Sequence, residues 1–201
     1  GTRRPEKGRV LLEGQDATGW SIRKRLDTLA LVPEDRLTQA AVVNLSVQQN
    51  LMLKDYRRRP YSVMGMLRLK AWRRRADELV RGFDIRCRSV EDAYGALSGG
   101  NQQKVVLARE LGTPRELVVA VNPTRGLDVG ATAFVMEQLL AARARGAGVL
   151  LIHSDLDELL AISDRVVVLY SGRLTASAWP ESSKQGVGRM IMGLSEIAAG
   201  A

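Results

Sequence analysis

Apolar positions along this chain follow two periods. Short, nearly continuous apolar runs read as buried strands: Leu29–Val32, which stops at Pro33, then 116–121 and 149–152. Between them, spacings of three and four mark helices. Val105, Ala108 and Leu111, widened by Val106 and Leu107, predict a helix that begins beside Ser98. Met136, Leu139 and Leu140 share one face of a helix over 129–145, N-capped by Asp128 and closed by Gly146. Ser21 caps a short basic helix, 22–28, and Ser154 with Asp157 makes a capping box for 155–162. The stretch 8–14 reads as a strand and 16–19 as a turn. A hairpin is expected around Ser171-Gly172, with arms 165–170 and 173–177, and a terminal helix over 186–193.

Residues 45–96 carry helical spacing and no strand pattern. Val47, Leu51 and Leu53 begin an apolar face, Pro60 and Gly65 interrupt it, and 70–82 is amphipathic with Ala71, Trp72, Leu79 and Val80 inward. Strands alternating with helices predict an α/β fold with a mostly parallel sheet. The expected organisation is one domain, 1–201, with a helical subdomain at about 45–96.

Composition narrows the classes. Hydrophobic residues make up 45% of 201, enough for a core, and no apolar run approaches the roughly 18 residues of a membrane span. A charged start, 1–9, does not read as a secretory leader. One cysteine, Cys87, excludes an internal disulfide framework, and one histidine, His153, with that cysteine does not make a structural metal site. The net charge of +8 gathers partly in Arg57-Arg58-Arg59 and Arg73-Arg74-Arg75. Such clusters suit a solvated face, a surface near anionic headgroups, or nucleic acid. Aromatics at 4% leave no stacking platform for single strands.

The stretch with the most chemistry is Leu97-Ser98-Gly99-Gly100-Asn101-Gln102-Gln103-Lys104. A hydroxyl residue and two glycines open a helix, so backbone N–H groups and the positive end of the helix dipole face one small volume. That is the layout of an anion site.

The longer string, 97–111, closely resembles the signature motif of ABC ATPases, in the form carried by the second ATPase domain of simple-sugar and nucleoside importers. That resemblance implies a P-loop NTPase-like fold. It implies that Ser98, Gly99, Gly100, Asn101 and Gln102 bind, in trans, nucleotide held by another domain. By the same resemblance Gly126-Leu127-Asp128 is similar to the D-loop, Glu34 stands at the Q-loop glutamine's position, and Ser154 at the switch histidine's. His153 is one residue early and reads as structural. The family's strand-end carboxylates, which hold Mg²⁺ and polarise water, are replaced by Val121 and Asn122. Valine cannot coordinate a hard cation, and asparagine cannot accept a proton at neutral pH.

The sequence contains no G-x-x-x-x-G-K-S/T pattern. The resemblance therefore implies a chain cut before the P-loop, without the P-loop strand and helix, and with no catalytic or metal-ligating residue of its own. ATP and Mg²⁺ are expected only in a composite site with a partner ATPase domain, and the chain alone is expected to be inactive. Its other partners would be membrane-spanning permease subunits, met through about 45–96, at the inner face of the plasma membrane, with no nucleic acid. The strands at 116–121 and 149–152 should flank the missing P-loop strand and expose their edges, which favours aggregation. A remnant without function, or a fragment of an SMC or repair ATPase that binds DNA, are the alternatives. The second conflicts with the absence of a sustained heptad pattern. The transported solute is not encoded in these motifs.

Overall fold

The computed structural model describes residues 5–174 and 183–194. In chain order these form β1 (Leu11–Leu12), β2 (Gln15–Asp16), α1 (Ile22–Thr28), β3 (Leu29–Val32), a π turn (Arg36–Ala40), α2 (Val47–Met52), β4 (Ser62–Val63), β5 (Met66–Leu67), α3 (Leu69–Gly82), a 3-10 turn (Tyr94–Ala96), α4 (Gly99–Leu111), β6 (Leu117–Val121), α5 (Val129–Ala144), β7 (Gly148–Ile152), α6 (Leu156–Ile162), β8 (Leu169–Tyr170), β9 (Arg173–Leu174) and α7 (Lys184–Ile191). The chain divides into two compact units, 1–150 and 151–201.

In the first unit β3 and β6 pair in parallel, Leu29 opposite Leu117 and Val32 opposite Ala120, and the sheet order is β3–β6–β7. Because β6 and β7 are neighbours, no strand lies between them, contrary to the expectation that they flank a missing one. β7 is also not the buried strand its apolar run suggests: Leu150 is 51% exposed and Ile152 50%. An apolar run reports what a strand could cover, and an edge position leaves part of it uncovered.

Helix α4 is the centre of this unit and packs on β3, α2, α3 and α5. Val105, Val106, Leu107, Ala108 and Leu111 are buried, as their spacing predicts, but so are Gln102, Gln103, Arg109 and Glu110. Gln103, Arg109 and Glu110 are tolerated because they are partnered. Glu110 accepts from Lys54 Nζ (2.5 Å), the Leu31 N–H (3.0 Å) and Arg109 Nε (2.9 Å). Burial pushes the Lys54 ammonium pKa down, and Glu110 opposes that shift.

Within 45–96, Ser46 and Gln49 form a capping box on α2. Asn50, fully buried, binds the backbone of the preceding loop: its Oδ1 accepts from the Val42 N–H (2.9 Å) and its Nδ2 donates to the Val42, Leu45 and Ser46 carbonyls. In α3 the buried face is Trp72, Ala76 and Leu79, with Ala71 and Val80 half-buried. A hairpin, β4–β5, occupies the stretch expected to hold no strand. Its arms are two residues each, too short for alternation to register. What makes it is the turn, with Met64 and Gly65 both at positive φ, the arrangement that matches strand twist. The same geometry at Glu13-Gly14 breaks the expected 8–14 strand into the β1–β2 hairpin.

Helix α5 is capped by Asp128, as expected, and ends before Gly146 at φ 94°. Its buried face is Val135, Leu139 and Ala142, while Leu140 is exposed. The second unit is built on Val168 and Val187, packed by Leu156 and Met190. The β8–β9 hairpin turns at Ser171-Gly172, and α7 begins after Ser183. The part of the expected hairpin beyond 174 lies outside the described residues. The cap of α6 is Asp155 rather than Ser154: Asp155 Oδ1 accepts from the Glu158 N–H (3.0 Å), which places the helix start one residue later.

Candidate functional site

The first turn of α4 defines the site. Ser98 has the extended backbone of an N-cap, yet its hydroxyl caps nothing. It accepts from Asn101 Nδ2 (2.9 Å), while Asn101 Oδ1 accepts from the Arg86 N–H (2.8 Å). Asn101 thus fixes the hydroxyl, occupies one lone pair and leaves the O–H proton available to an outside acceptor. The N–H groups of the first turn have no partners within the helix, which is true of any helix start. Ser98 is exposed, Gly99, Gly100 and Asn101 are half-buried, and an open groove of about 650 Å³ bordered by Arg86, Leu97 and Asn101 runs beside the serine.

Neighbouring elements add positive charge. A Cβ at Gly99 would come within 2.9 Å of Arg36 Nη2, so the guanidinium lies against the helix start. A Cβ at Gly100 would come within 3.2 Å of the Ala131 Cβ, so the first turns of α4 and α5 meet there. Two positive helix ends and a guanidinium converge. That assembly is unfavourable on its own and favours an anion. Asp128 offsets part of it by accepting from the Ala131 N–H (2.8 Å).

The loops that deliver these groups are tied to α4. Arg36 Nη1 donates to the Arg125 carbonyl (3.1 Å), Glu34 forms an ion pair with Arg125, and Gln103 Nε2 donates to the Pro123 carbonyl (2.7 Å). Asp35 caps the π turn through the Leu37 and Thr38 N–H groups. Hydrogen bonds from Thr38 and Leu37 hold its carboxyl below the usual range. Glu34 is therefore engaged by a cation. Asn122 sits at φ 40°, at the end of β6, after the half-buried Val121.

The structure brings Ser98, Gly99, Gly100 and Asn101 together, with Asp128 one helix start away and Glu34 in the adjoining loop. The Gln102 side chain is buried and does not reach the groove. Ser154 belongs to the second unit, where it is exposed just before α6. There His153 accepts from the Asp155 N–H through Nδ1 (2.9 Å), and its Nε2 lies 3.2 Å from the Glu158 carboxylate. These bonds hold the strand-to-helix corner.

Arg36, Tyr94, Gln103 and Ala131 were not legible as site residues. Gln103 stands inside the quoted motif and Arg36 two residues after Glu34, but only packing gives them a role. Tyr94 is fully buried, with its hydroxyl near the carbonyls of Arg36 (3.4 Å) and Gln102 (3.3 Å), and burial pushes its pKa up to about 12. A phenol with a raised folded pKa contributes stability that is intact below its ordinary value of 10.0 and is lost as pH climbs toward 12. The urea midpoint should accordingly fall more between pH 8 and pH 10.5 in the parent than in Tyr94→Phe. Parallel falls would show that the phenol does not ionise against the fold.

A family profile described as ABC transporter matches residues 1–125. Among curated proteins, the chain is 35% identical to the guanosine import ATP-binding protein NupO of Bacillus subtilis, over all of this chain and 40% of that protein. It is 40% identical to the glucose import ATP-binding protein TsgD13 of Haloferax volcanii, over 91% of this chain and 34% of that one. It is 36% identical to the nucleoside import ATP-binding protein NupA of Lactococcus lactis, over 96% and 38%. The chain thus spans 40% or less of these relatives. Among solved structures, the ATP-binding cassette MJ0796 in a dimeric post-hydrolysis state bound to ADP and Pi aligns with TM-score 0.70 at 21% identity, over 88% of this chain and 75% of that one. The cassette MJ1267 aligns with TM-score 0.73 at 19%, over 100% and 80%. These likenesses show the fold of an ATP-binding cassette.

Proposed function

Because the chain belongs to the ABC transporter family, we propose that it serves as ATP-binding-cassette machinery of an importer for simple sugars or nucleosides. In this reading its task is to close over an ATP held by a partner ATPase domain. The observation that carries it is the first turn of α4: a hydroxyl oriented by Asn101, two glycines that let an anion approach, and convergent positive charge from Arg36 and the start of α5.

These groups fit a terminal phosphate. Ser98 donates its O–H proton, and the backbone at Gly99 and Gly100 supplies N–H donors already aimed before substrate arrives. Fixed donors stabilise developing negative charge without reorganising during the reaction. The residues do not fit a divalent cation. Val121 offers no donor atom, Asn122 offers a neutral amide, and Glu34 is paired with Arg125. Any Mg²⁺ would be held by the partner domain, which would also supply the base. The solutes follow the named relatives, which import guanosine, glucose and nucleosides by their names. In the same reading, residues of about 45–96 form the subdomain that meets the membrane permease, and the assembly works at the cytoplasmic face of the membrane.

Mixing this chain with a P-loop-bearing ATPase domain of the same importer type should raise Mg-ATP turnover above that of the domain alone, while the chain by itself should show neither turnover nor tight Mg-ATP binding in calorimetry. Turnover by the isolated chain, or no stimulation of the partner, would contradict the assignment.

A further inference from the structure

Between 56 and 76 the sequence holds eight Lys and Arg and no Asp or Glu, a charge equal to the net +8 of the whole chain. Half of these cations are already engaged: Arg58 with Asp27 and Asp55, Arg73 with Glu91, and Arg74 and Arg75 with Glu78. Arg57, Arg59, Arg68 and Lys70 are exposed and make no ion pair among the described residues. They flank the β4–β5 hairpin and its exit into α3.

The hairpin itself presents apolar side chains to water. Met64 is 92% exposed, Met66 71% and Leu67 47%, and Leu69, at the start of α3, is 62% exposed. Exposure is greatest on either side of Gly65, and nothing lies within 4 Å of a Cβ built on that glycine. The apolar surface is therefore convex at its tip. A protein partner would need a matching pocket for such a tip. A lipid interface needs none, and it takes flexible thioethers readily when cations surround them. A concave groove lined by Leu67, Leu69, Lys70 and Trp72 would suit a peptide, but the two most exposed residues, Met64 and Met66, are not part of its lining.

We infer that the β4–β5 hairpin docks on anionic phospholipid headgroups, with Met64 and Met66 entering the interface and Arg57, Arg59, Arg68 and Lys70 meeting the phosphates. Neither signal suffices alone: a small apolar tip gives marginal binding, and each nearby cation multiplies affinity by roughly fivefold at low salt. The inference requires neither nucleotide nor a partner ATPase domain, so it stands or falls apart from the transport reading.

The test uses the full chain with vesicles of phosphatidylcholine alone or mixed with phosphatidylglycerol. Since a +8 protein adheres to anionic vesicles anyway, insertion is the deciding readout. Met64→Trp should show a blue-shifted emission component, relative to the parent, that brominated acyl chains quench in phosphatidylglycerol vesicles only. Met64→Ser with Met66→Ser should weaken binding by about tenfold at constant net charge, and Arg57→Ser with Arg59→Ser should weaken it further and flatten its salt dependence. Both sites are exposed, and circular dichroism checks that each variant keeps its fold. An unquenched tryptophan, or undiminished binding of the double serine variant, would overturn the proposal. So would capture of the hairpin by a detergent-solubilised permease with no affinity for either vesicle, which would make the surface a protein interface.

Discussion

Ser98→Arg is expected to abolish the turnover that this chain stimulates in a partner ATPase domain, by roughly 10²-fold or more, the scale of losing a preorganised donor to developing charge. The fold should survive, because Ser98 is exposed and its hydroxyl caps no backbone N–H. What changes is chemical. The O–H donor oriented by Asn101 is lost, a long side chain fills the volume over Gly99 and Gly100, and a second guanidinium joins Arg36 at the same helix end. Ser154→Ala supplies the control. That residue lies in the second unit, exposed beside a helix that Asp155 caps, and its loss should leave the stimulated rate nearly unchanged. Steady-state ATPase assays of the mixture read both. Equal losses would contradict the assignment of Ser98 to the productive half of the site.

The largest effect on stability is expected from Glu110→Ala, about 3–5 kcal/mol in urea or thermal unfolding. The carboxylate serves three elements at once: β3 through the Leu31 N–H, the segment after α2 through Lys54, and α4 through Arg109. Side-chain exposures of 9% for Lys54 and 4% for Glu110 mean that truncation leaves an ammonium buried without its counter-ion. Replacing both partners, Lys54→Met with Glu110→Leu, should recover part of the loss, since it removes the stranded ammonium but leaves the buried Arg109 guanidinium without its carboxylate. A double variant as unstable as Glu110→Ala would show that the Leu31 and Arg109 bonds, rather than Lys54, carry the effect.

The parts legible in the sequence were those written in local chemistry. The Ser21 and Asp128 caps, the apolar runs of β3 and β6 and the glycine stop after α5 rest on residues a few positions apart. Pairing across long separations was not legible: nothing near Lys54 announces Glu110, and nothing in β6 announces that β7 is its neighbour. Two-residue strands such as β4 and β5 carry no period, and their turns were the only signal. In the site, the motif located Ser98, Gly99, Gly100 and Asn101, because an anion cradle needs those residue types side by side. Gln102 lies in the same string but turns inward, and Arg36 arrives from a loop more than one element away. Contiguity in sequence therefore marked the ligand-facing turn and overstated its length.

Burial of nearly all of α4 beyond its first turn has a consequence for how this sequence can change. Most surface helices keep a solvent-facing stripe on which substitutions accumulate at little cost. Residues 102–103 and 105–111 offer no such stripe, since apolar and charged positions alike are enclosed. A saturation library across the chain would therefore return α4 as a band of intolerance broken only at the half-buried Lys104, rather than a mark every third or fourth residue. That band would run up to the glycines at its start, so selection for packing and selection for anion binding would be read there as one signal.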